Sequence, residues 1–491
     1  MGKICRIDIP ILIALLVIAA FLRFNNLETN PGWDLDEGYN ISIAQNLMAG
    51  QGQMLAVRQV FIQHPPLYYA LVAIGLLFNS ADPLLTLRVV SAILAVLAIV
   101  PVYLVARHLG GIRAATFAGF LYAASYLVVS NSRFGYSYSL MLLLLPLLVL
   151  AIFALESKPS RGRVVLLGAV MAALLLSERL AIPAVILAFA WVLWRRGWRE
   201  GLGVGAIAIA PTLGYLGVFL VSQPDILLFD ILHTGGRVGG GPSSHMIGVL
   251  VTYLGFIKLD LLITMGFVGL FLALNRNGGM RVLLIGICTI LLSVLLRDPR
   301  AYFRQALPTV ALLSVGCGVV LDYCLVLIWQ RTKKTLPFTI LGLLLLVPFG
   351  IDTMQTVAGM STGFNRGELA KILAEPVAGY KAAEAINRLA GEDDLVIVNS
   401  HISWLVKARV ADWAQSAATS GEAVAFYPAN MDKHFVYDAR LDSAKVAVVD
   451  DFLRAWVEEE PASVVAKMYR EVTGNWQLVA TAGQFAVYTR P

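Results

Sequence analysis

Charge is scarce in this sequence. Asp, Glu, Lys and Arg make up 14% of its 491 residues, against about 25% in an average soluble domain. Cysteine is scarcer still. The four present show no Cys-x-x-Cys pair and no Cys/His ligand spacing, which excludes a disulfide framework and a structural zinc site. No cysteine falls in the last third of the chain, so that part would fold alike in an oxidising compartment. The formal charge of +6 is not gathered into a basic arm or stripe, which removes the footprint of nucleic-acid binding. Internal repeats and low-complexity tracts are also missing.

Apolar residues fill the space left by charge. They make up 58% of the chain, and the mean hydropathy is +0.74. A single hydrophobic core stops growing near ~250–300 residues, so a soluble reading would need several unusually apolar domains. The apolar residues instead come in runs of about 15 to 27, the length that crosses a ~30 Å hydrocarbon layer. The runs cover approximately 9–24, 66–80, 84–106, 113–130, 138–155, 164–177, 180–194, 202–221, 246–274, 281–296, 305–329 and 336–352. Lys3 and Arg6 before the first run resemble a secretory signal. Arg23-Phe24-Asn25 follows directly, without a small-residue cleavage site, so an uncleaved first helix is expected.

Basic clusters orient the runs, because short cytoplasmic loops collect Lys and Arg. They occur at Lys3/Arg6, Arg107/Arg113, Lys158/Arg161/Arg163, Arg195/Arg196/Arg199, Arg276/Arg281 and Arg331/Lys333/Lys334. Any two such clusters must be separated by an even number of crossings, yet three runs lie between Arg6 and Arg107. The one that fails to cross is 66–80, which opens on Pro65-Pro66 and is short. It reads as a helix in the outer interface. Eleven transmembrane helices remain, with the N-terminus inside and the C-terminus outside. The first outer loop then spans 25–83.

Residues 353–491 carry 17 acidic and 13 basic residues, a density unlike anything before them. Val377–Leu389 has helical spacing, while Leu395–Asn399, Lys445–Val449, Trp476–Ala480 and Phe485–Thr489 alternate as strands do. The expectation is a transmembrane domain over 1–352 and a small extracytoplasmic α/β domain over 353–491. Asp450-Asp451 after a strand suits helix capping.

The first outer loop holds Gly32-Trp33-Asp34-Leu35-Asp36-Glu37-Gly38-Tyr39. A helix N-cap there needs one acid, not three within four positions. Further on come Gln63-His64-Pro65-Pro66-Leu67-Tyr68-Tyr69, where Pro-Pro starts a helix and the tyrosines suit a membrane interface. The glycine-rich stretch 235–241 lacks the strand, helix and Gly-Lys-Ser/Thr ending of a phosphate loop. It reads as a flexible loop.

The order Asp36-Glu37, His64-Pro65-Pro66-Leu67-Tyr68-Tyr69, Arg88, Ser132-Arg133 and Tyr138-Ser139-Leu140 resembles the GT-C membrane glycosyltransferases. Within them it is most similar to the protein O-mannosyltransferase, lipid A aminoarabinose transferase and rhizobial galacturonosyltransferase group. The resemblance covers about residues 9–156 and returns at Arg300-Ala301-Tyr302-Phe303 and Leu307-Pro308. It implies transfer of mannose or another hexose or pentose from a polyprenyl-phosphate donor, with inversion, to a lipid, polysaccharide or protein acceptor. The reaction would lie at the outer face of the cell membrane.

Under that resemblance Asp36 is the expected base, taking the acceptor hydroxyl proton, and Glu37 is its catalytic neighbour, orienting acceptor or sugar. Asp34, His64, Tyr68, Arg133 and Tyr138 are the expected substrate contacts in the loops. Arg297, Arg300, Tyr302 and Arg304 are expected to hold the departing phosphate. Many GT-C enzymes carry an acid in the second outer loop, where this chain has Arg133-Phe134-Gly135-Tyr136-Ser137-Tyr138. That departure leaves little support for a bound Mg or Mn ion, and no cofactor is expected with it. A transporter or lipid flippase is the rival class. It would place ionisable residues near the membrane midplane, as Asp260 and Asp322 in their apolar runs hint.

Overall fold

The computed structural model describes residues 6–51, 64–236, 261–273, 307–332, 373–422 and 435–491, together with isolated positions that include Val357 and Val424. The helices α1 (Asp8–Phe24), α2 (Leu35–Met48), α3 (Leu67–Phe78), α4 (Pro83–Leu97), α5 (Ile99–Ala124), α6 (Tyr126–Ser132) and α7 (Tyr138–Ser157) form its first half. They are followed by α8 (Arg161–Leu175), α9 (Ile182–Arg196), α10 (Trp198–Ser222), α11 (Pro224–Gly236), α12 (Leu261–Leu272) and α13 (Leu307–Thr332). Among the described residues, four stretches are long and apolar enough to cross a membrane: Pro83–Ala124, Tyr138–Ser157, Trp198–Ser222 and Leu307–Gln330. Helix α3, at 12 residues, falls short of the ~20 a crossing needs.

The sequence runs 84–106 and 113–130 join in one helical stretch, broken where Gly111 adopts φ +84° and ψ −170°. Side-chain contacts show that the break is a turn. Tyr103 Oη and Arg107 Nε reach Asp8 Oδ1 at 2.7 and 3.1 Å, at the start of α1. Arg23, at its far end, donates to the carbonyls of Ala123 and Tyr122 at 3.0 and 3.5 Å. The chain therefore passes along α1 twice, in opposite directions. A side chain would strain such a positive φ, and glycine does not.

The same contacts sort the bundle into two ends. One end holds Asp8 with Arg107, and Arg113 with Asp322 at 2.8 Å. Asp322, which the sequence shows only as an acid in an apolar run, is thus half of an ion pair with Arg113, two residues past the Gly111 break. Asp260 lies outside the described residues. The other end holds the first loop, the α6–α7 connection, the α8–α9 connection and the C-terminal domain.

That domain carries a five-stranded sheet in the order β2-β1-β3-β5-β4. Its strands are β1 (Leu395–Ile397), β2 (Arg409–Ala411), β3 (Ala444–Val449), β4 (Gln477–Ala482) and β5 (Phe485–Thr489). β1 pairs in parallel with β2 and β3, while β5 pairs antiparallel with β3 and β4. Helices α14 (Pro376–Leu389), α15 (Ser400–Ser403), α16 (Trp413–Thr419), α17 (Asp451–Glu459) and α18 (Val464–Asn475) complete it. Asp450 caps α17 by accepting the Leu453 amide at 2.8 Å. The three-residue β2 is the strand that the alternation pattern misses.

The domain meets the first outer loop directly. Trp33 and Ala374 exchange backbone hydrogen bonds, both at 2.8 Å. The Trp33 indole packs edge-on to Tyr380 and Trp404, with ring centroids 4.9 and 5.3 Å away. A Cβ on Gly38 would stand 1.7 Å from the Ser400 carbonyl oxygen. Gly38→Ala is therefore expected to push the domain off α2, at a cost of at least about 1–3 kcal/mol. Limited proteolysis of the full chain should then cut faster between the two parts. An unchanged cleavage rate would contradict the contact.

Candidate active site

Of the three loop acids, two are absorbed by the protein itself. Asp34 is the N-cap of α2 and accepts the Asp36 amide at 3.0 Å, while its own amide donates to Glu37 Oε2 at 3.1 Å. This is a capping box, which satisfies donors at both ends of the first turn. Glu37 is 1% exposed. Its Oε1 also accepts Arg88 Nε at 2.8 Å and the Gly135 amide at 2.9 Å, and its Oε2 accepts Arg88 Nη2 at 2.7 Å. Arg88 spends its remaining donors on the carbonyls of Leu27, Pro31 and Gly32, at 3.1, 2.9 and 3.0 Å. A guanidinium has five N–H donors, and here the first loop takes them all.

Three expected substrate contacts are directed into the protein in the same way. Asp34 is buried in its capping box. The Tyr68 hydroxyl lies 2.7 Å from Ser91 Oγ, with the ring 0% exposed. Arg133, also 0% exposed, donates to the carbonyls of Leu22, Arg23, Asn25, Asn26 and Asn30 at 2.6–3.4 Å. These side chains shape the loop from inside it. Glu37 likewise holds Arg88. Tyr138 is buried too, edge-on to Tyr136 at 6.4 Å. Arg297, Arg300, Tyr302 and Arg304 lie outside the described residues.

Asp36 differs from its neighbours. It is half-buried, on the first turn of α2. Tyr69 of α3 connects it to a residue that the sequence motifs leave out. Burial pushes the Tyr69 phenol well above its ordinary range, and the carboxylates of Glu178 and Asp36 add to the shift. Glu178, 3% exposed, sits in the α8–α9 connection. Its Oε1 accepts Ser137 Oγ at 2.6 Å and lies 3.1 Å from His64 Nδ1. The Leu67 amide, at the start of α3, donates to the Leu176 carbonyl at 2.9 Å and fixes that connection against the Pro-Pro helix. So a second acid does stand near the first loop, supplied by a different connection from the one where the family pattern places it. Its only trace in the sequence is an acid between two short apolar runs, in Ser177-Glu178-Arg179.

Among the described residues, no group of three or more His, Cys, Asp or Glu side chains is arranged to hold a metal ion. No chemical step below is assigned to one.

Residues 63–224 match the family described as dolichyl-phosphate-mannose-protein mannosyltransferase. ArnT from Cupriavidus metallidurans, solved with undecaprenyl phosphate, superposes over 97% of this chain and 97% of its own at a TM-score of 0.67 and 14% identity. The fold is that of the GT-C membrane glycosyltransferases. The oligosaccharyltransferase AglB from Archaeoglobus fulgidus, solved with an inhibitory peptide and a dolichol-phosphate, superposes over 98% of this chain and 74% of that one, with a TM-score of 0.55 and 15% identity. Arabinofuranosyltransferase AftD from Mycobacteria gives a TM-score of 0.53 at 16% identity, over 99% of this chain and 40% of its own. At such identities the likeness carries the fold. No protein of curated function matches the sequence itself. The pairing of Asp322 with Arg113 accounts for one of the two acids that suggested a transporter.

The GT-C fold brings one further titratable group to the α2 surface. Tyr39 Oη donates to Asp412 Oδ2 at 2.8 Å, and the Gln415 amide donates to Asp412 Oδ1 at 2.7 Å. Burial pushes the Asp412 carboxyl above its ordinary range, against the pull of its hydrogen bonds from Gln415, Tyr39 and Ala414. An acid whose folded pKa is raised binds its proton more tightly folded than unfolded. Its contribution to stability is therefore largest below the ordinary carboxylate pKa and falls as pH rises towards the raised one. The C-terminal domain is expected to become more resistant to denaturant on acidification through that window, and Asp412→Asn should flatten the trend. Denaturation followed across pH checks this. A wild-type profile that Asp412→Asn leaves unchanged would contradict it.

Proposed function

We propose that this chain moves a sugar from a polyprenyl-phosphate donor to an acceptor hydroxyl, with inversion, on the outer face of the cell membrane. The bundle crosses the membrane eleven times, with the first loop and the C-terminal domain outside. The observation that carries the reading is the sorting of the loop acids. Asp34 caps α2 and Glu37 pairs with Arg88, while Asp36 lies half-buried on the same first turn, and its carboxylate and that of Glu178, which meets His64, both raise the Tyr69 phenol.

Asp36 takes the proton of the acceptor hydroxyl as its oxygen attacks the anomeric carbon. The bond from that carbon to the phosphate oxygen breaks, and the phosphate leaves with the electron pair. A polyprenyl phosphate is a competent leaving group, so protonation by a general acid is not required. Glu178 Oε1, 3.1 Å from Nδ1, orients the His64 ring. His64 then turns its other edge towards the departing phosphate, where charge develops. Arg297, Arg300, Arg304 and Tyr302 complete the phosphate contacts in this proposal.

The test is direct. The full chain in lipid nanodiscs is supplied with a panel of polyprenyl-phosphate sugars, and released polyprenyl phosphate and glycosylated acceptor are followed by mass spectrometry. Turnover of at least one donor to a product of inverted configuration is the expected result. Turnover only of nucleotide sugars would overturn the reading.

A further inference from the structure

The C-terminal domain has no assigned task. Its sheet has three parallel strands, and open α/β sheets hold their ligands beyond the carboxyl ends of such strands. Buried polar residues of this domain collect at that edge: Asn399 and Ser400 after β1, Asp412 after β2 and Asp450 after β3. Yet the occupant of the edge at β1 and β2 is part of the same chain. Ser400 Oγ donates to the Leu35 carbonyl at 2.5 Å, the Tyr39 hydroxyl donates to Asp412, and Gly38 touches the Ser400 backbone. The cavity left between Tyr39, Ser42, Ser400, Ser403, Asp412 and Gln415 measures about 10 Å³. That volume suits one water molecule and no sugar.

Helix α2 needs such support. It has 14 residues, among them Gly38, Asn40 and Ser42, and isolated helices of that length are marginal even with good helix formers. A phenylalanine would fill the space of the Tyr39 ring. The hydroxyl adds only a directed bond to a buried carboxylate, which is costly to bury without a partner. Tyr39 follows Asp36 by three residues, close to one helical turn. Fixing the tip of Tyr39 thus fixes the rotation of α2 about its axis, and with it the direction in which Asp36 points.

We propose that the C-terminal domain is a positioning module for the catalytic helix, in which its strand-end edge grips residues 35–39 and the Tyr39–Asp412 hydrogen bond sets the aim of Asp36. Tyr39 and Asp412 are positioning residues of the transfer reaction. The proposal rests on Asp36 being the base, and the experiment separates the two.

Full-length Tyr39→Phe, Asp412→Ala, Asp412→Asn and Asp36→Asn proteins are assayed in nanodiscs for kcat and donor KM. Amide hydrogen exchange over residues 35–48 is measured alongside. Tyr39→Phe and Asp412→Ala should lower kcat by about tenfold or more, since small misplacements of a reacting group are costly. Donor KM should stay within about twofold, and exchange over 35–48 should rise. Asp412→Asn keeps an N-capping side chain and a carbonyl acceptor for Tyr39, so it should recover most of kcat. An unchanged kcat in Tyr39→Phe overturns the proposal. So does a loss of kcat without faster exchange, because Tyr39 would then act on the substrate itself. Asp36→Asn should remove turnover and leave exchange unchanged. If it retains turnover, the base assignment fails, while the exchange data on Tyr39→Phe still decide whether the domain holds α2.

Discussion

Asp36→Asn is expected to lower sugar transfer by about 10²–10⁴-fold, the usual contribution of a positioned general base, with the protein still folded. The bond that Asp36 contributes to the α2 cap comes from its backbone amide, which Asn retains. The side chain is half-buried on a helix turn whose capping box is made by Asp34 and Glu37, so removing its charge leaves that box in place. The loss should fall on kcat, because the proton leaves the acceptor only in the transition state. Steady-state kinetics with a polyprenyl-phosphate sugar, beside thermal unfolding in the same detergent, check both halves. Near-normal turnover would sink the assignment of Asp36 as base.

Glu37→Ala should behave in the opposite manner, failing first in stability. It leaves the Arg88 guanidinium 0% exposed without its carboxylate. Breaking a buried ion pair from one side costs about 3–5 kcal/mol. It also strips the acceptors from the Gly135 and Asp34 amides, each a further unsatisfied buried donor. Replacing both Glu37 and Arg88 by methionine should recover only part of the loss. The carbonyls of Leu27, Pro31 and Gly32 would still lack their donor. Arg88→Lys should fail as well, since three donors on a point charge cannot replace a five-donor fork. Thermal unfolding of the four proteins should rank wild type first, the double variant next and the single variants last. A Glu37→Ala protein with unchanged unfolding but no turnover would return Glu37 to a substrate-contacting role.

The contrast between these two neighbours marks where sequence reasoning stops. The sequence shows that an acidic segment follows the first apolar run, that Pro65-Pro66 opens a short helix, and that Asp450 suits a cap. All of these are local, set by turn chemistry and run length. The division of labour between Asp36 and Glu37 is not local. It depends on Arg88, 51 positions on from Glu37, and on Gly135 beyond that. Arg133 has the look of a ligand-binding cation in a loop motif, yet five carbonyls from residues 22–30 consume it. Glu178 shows the reverse error. It stands 114 positions from His64 and outside any motif, so only the folded chain reveals the pair. Strand β2 escapes notice because three residues are too few to display an alternation.

The reciprocal backbone bonds between Trp33 and Ala374 also bear on the order of biosynthesis. The segment that carries Asp36 is made long before its edge partner at Ala374. Until residue 374 and the strands after it have been synthesised and folded, Trp33 lacks its aromatic neighbours and Tyr39 its carboxylate. A nascent chain can therefore insert its bundle and still hold an unaimed base. Under the proposed positioning role, competence for transfer arrives only when the C-terminal domain closes over the first loop.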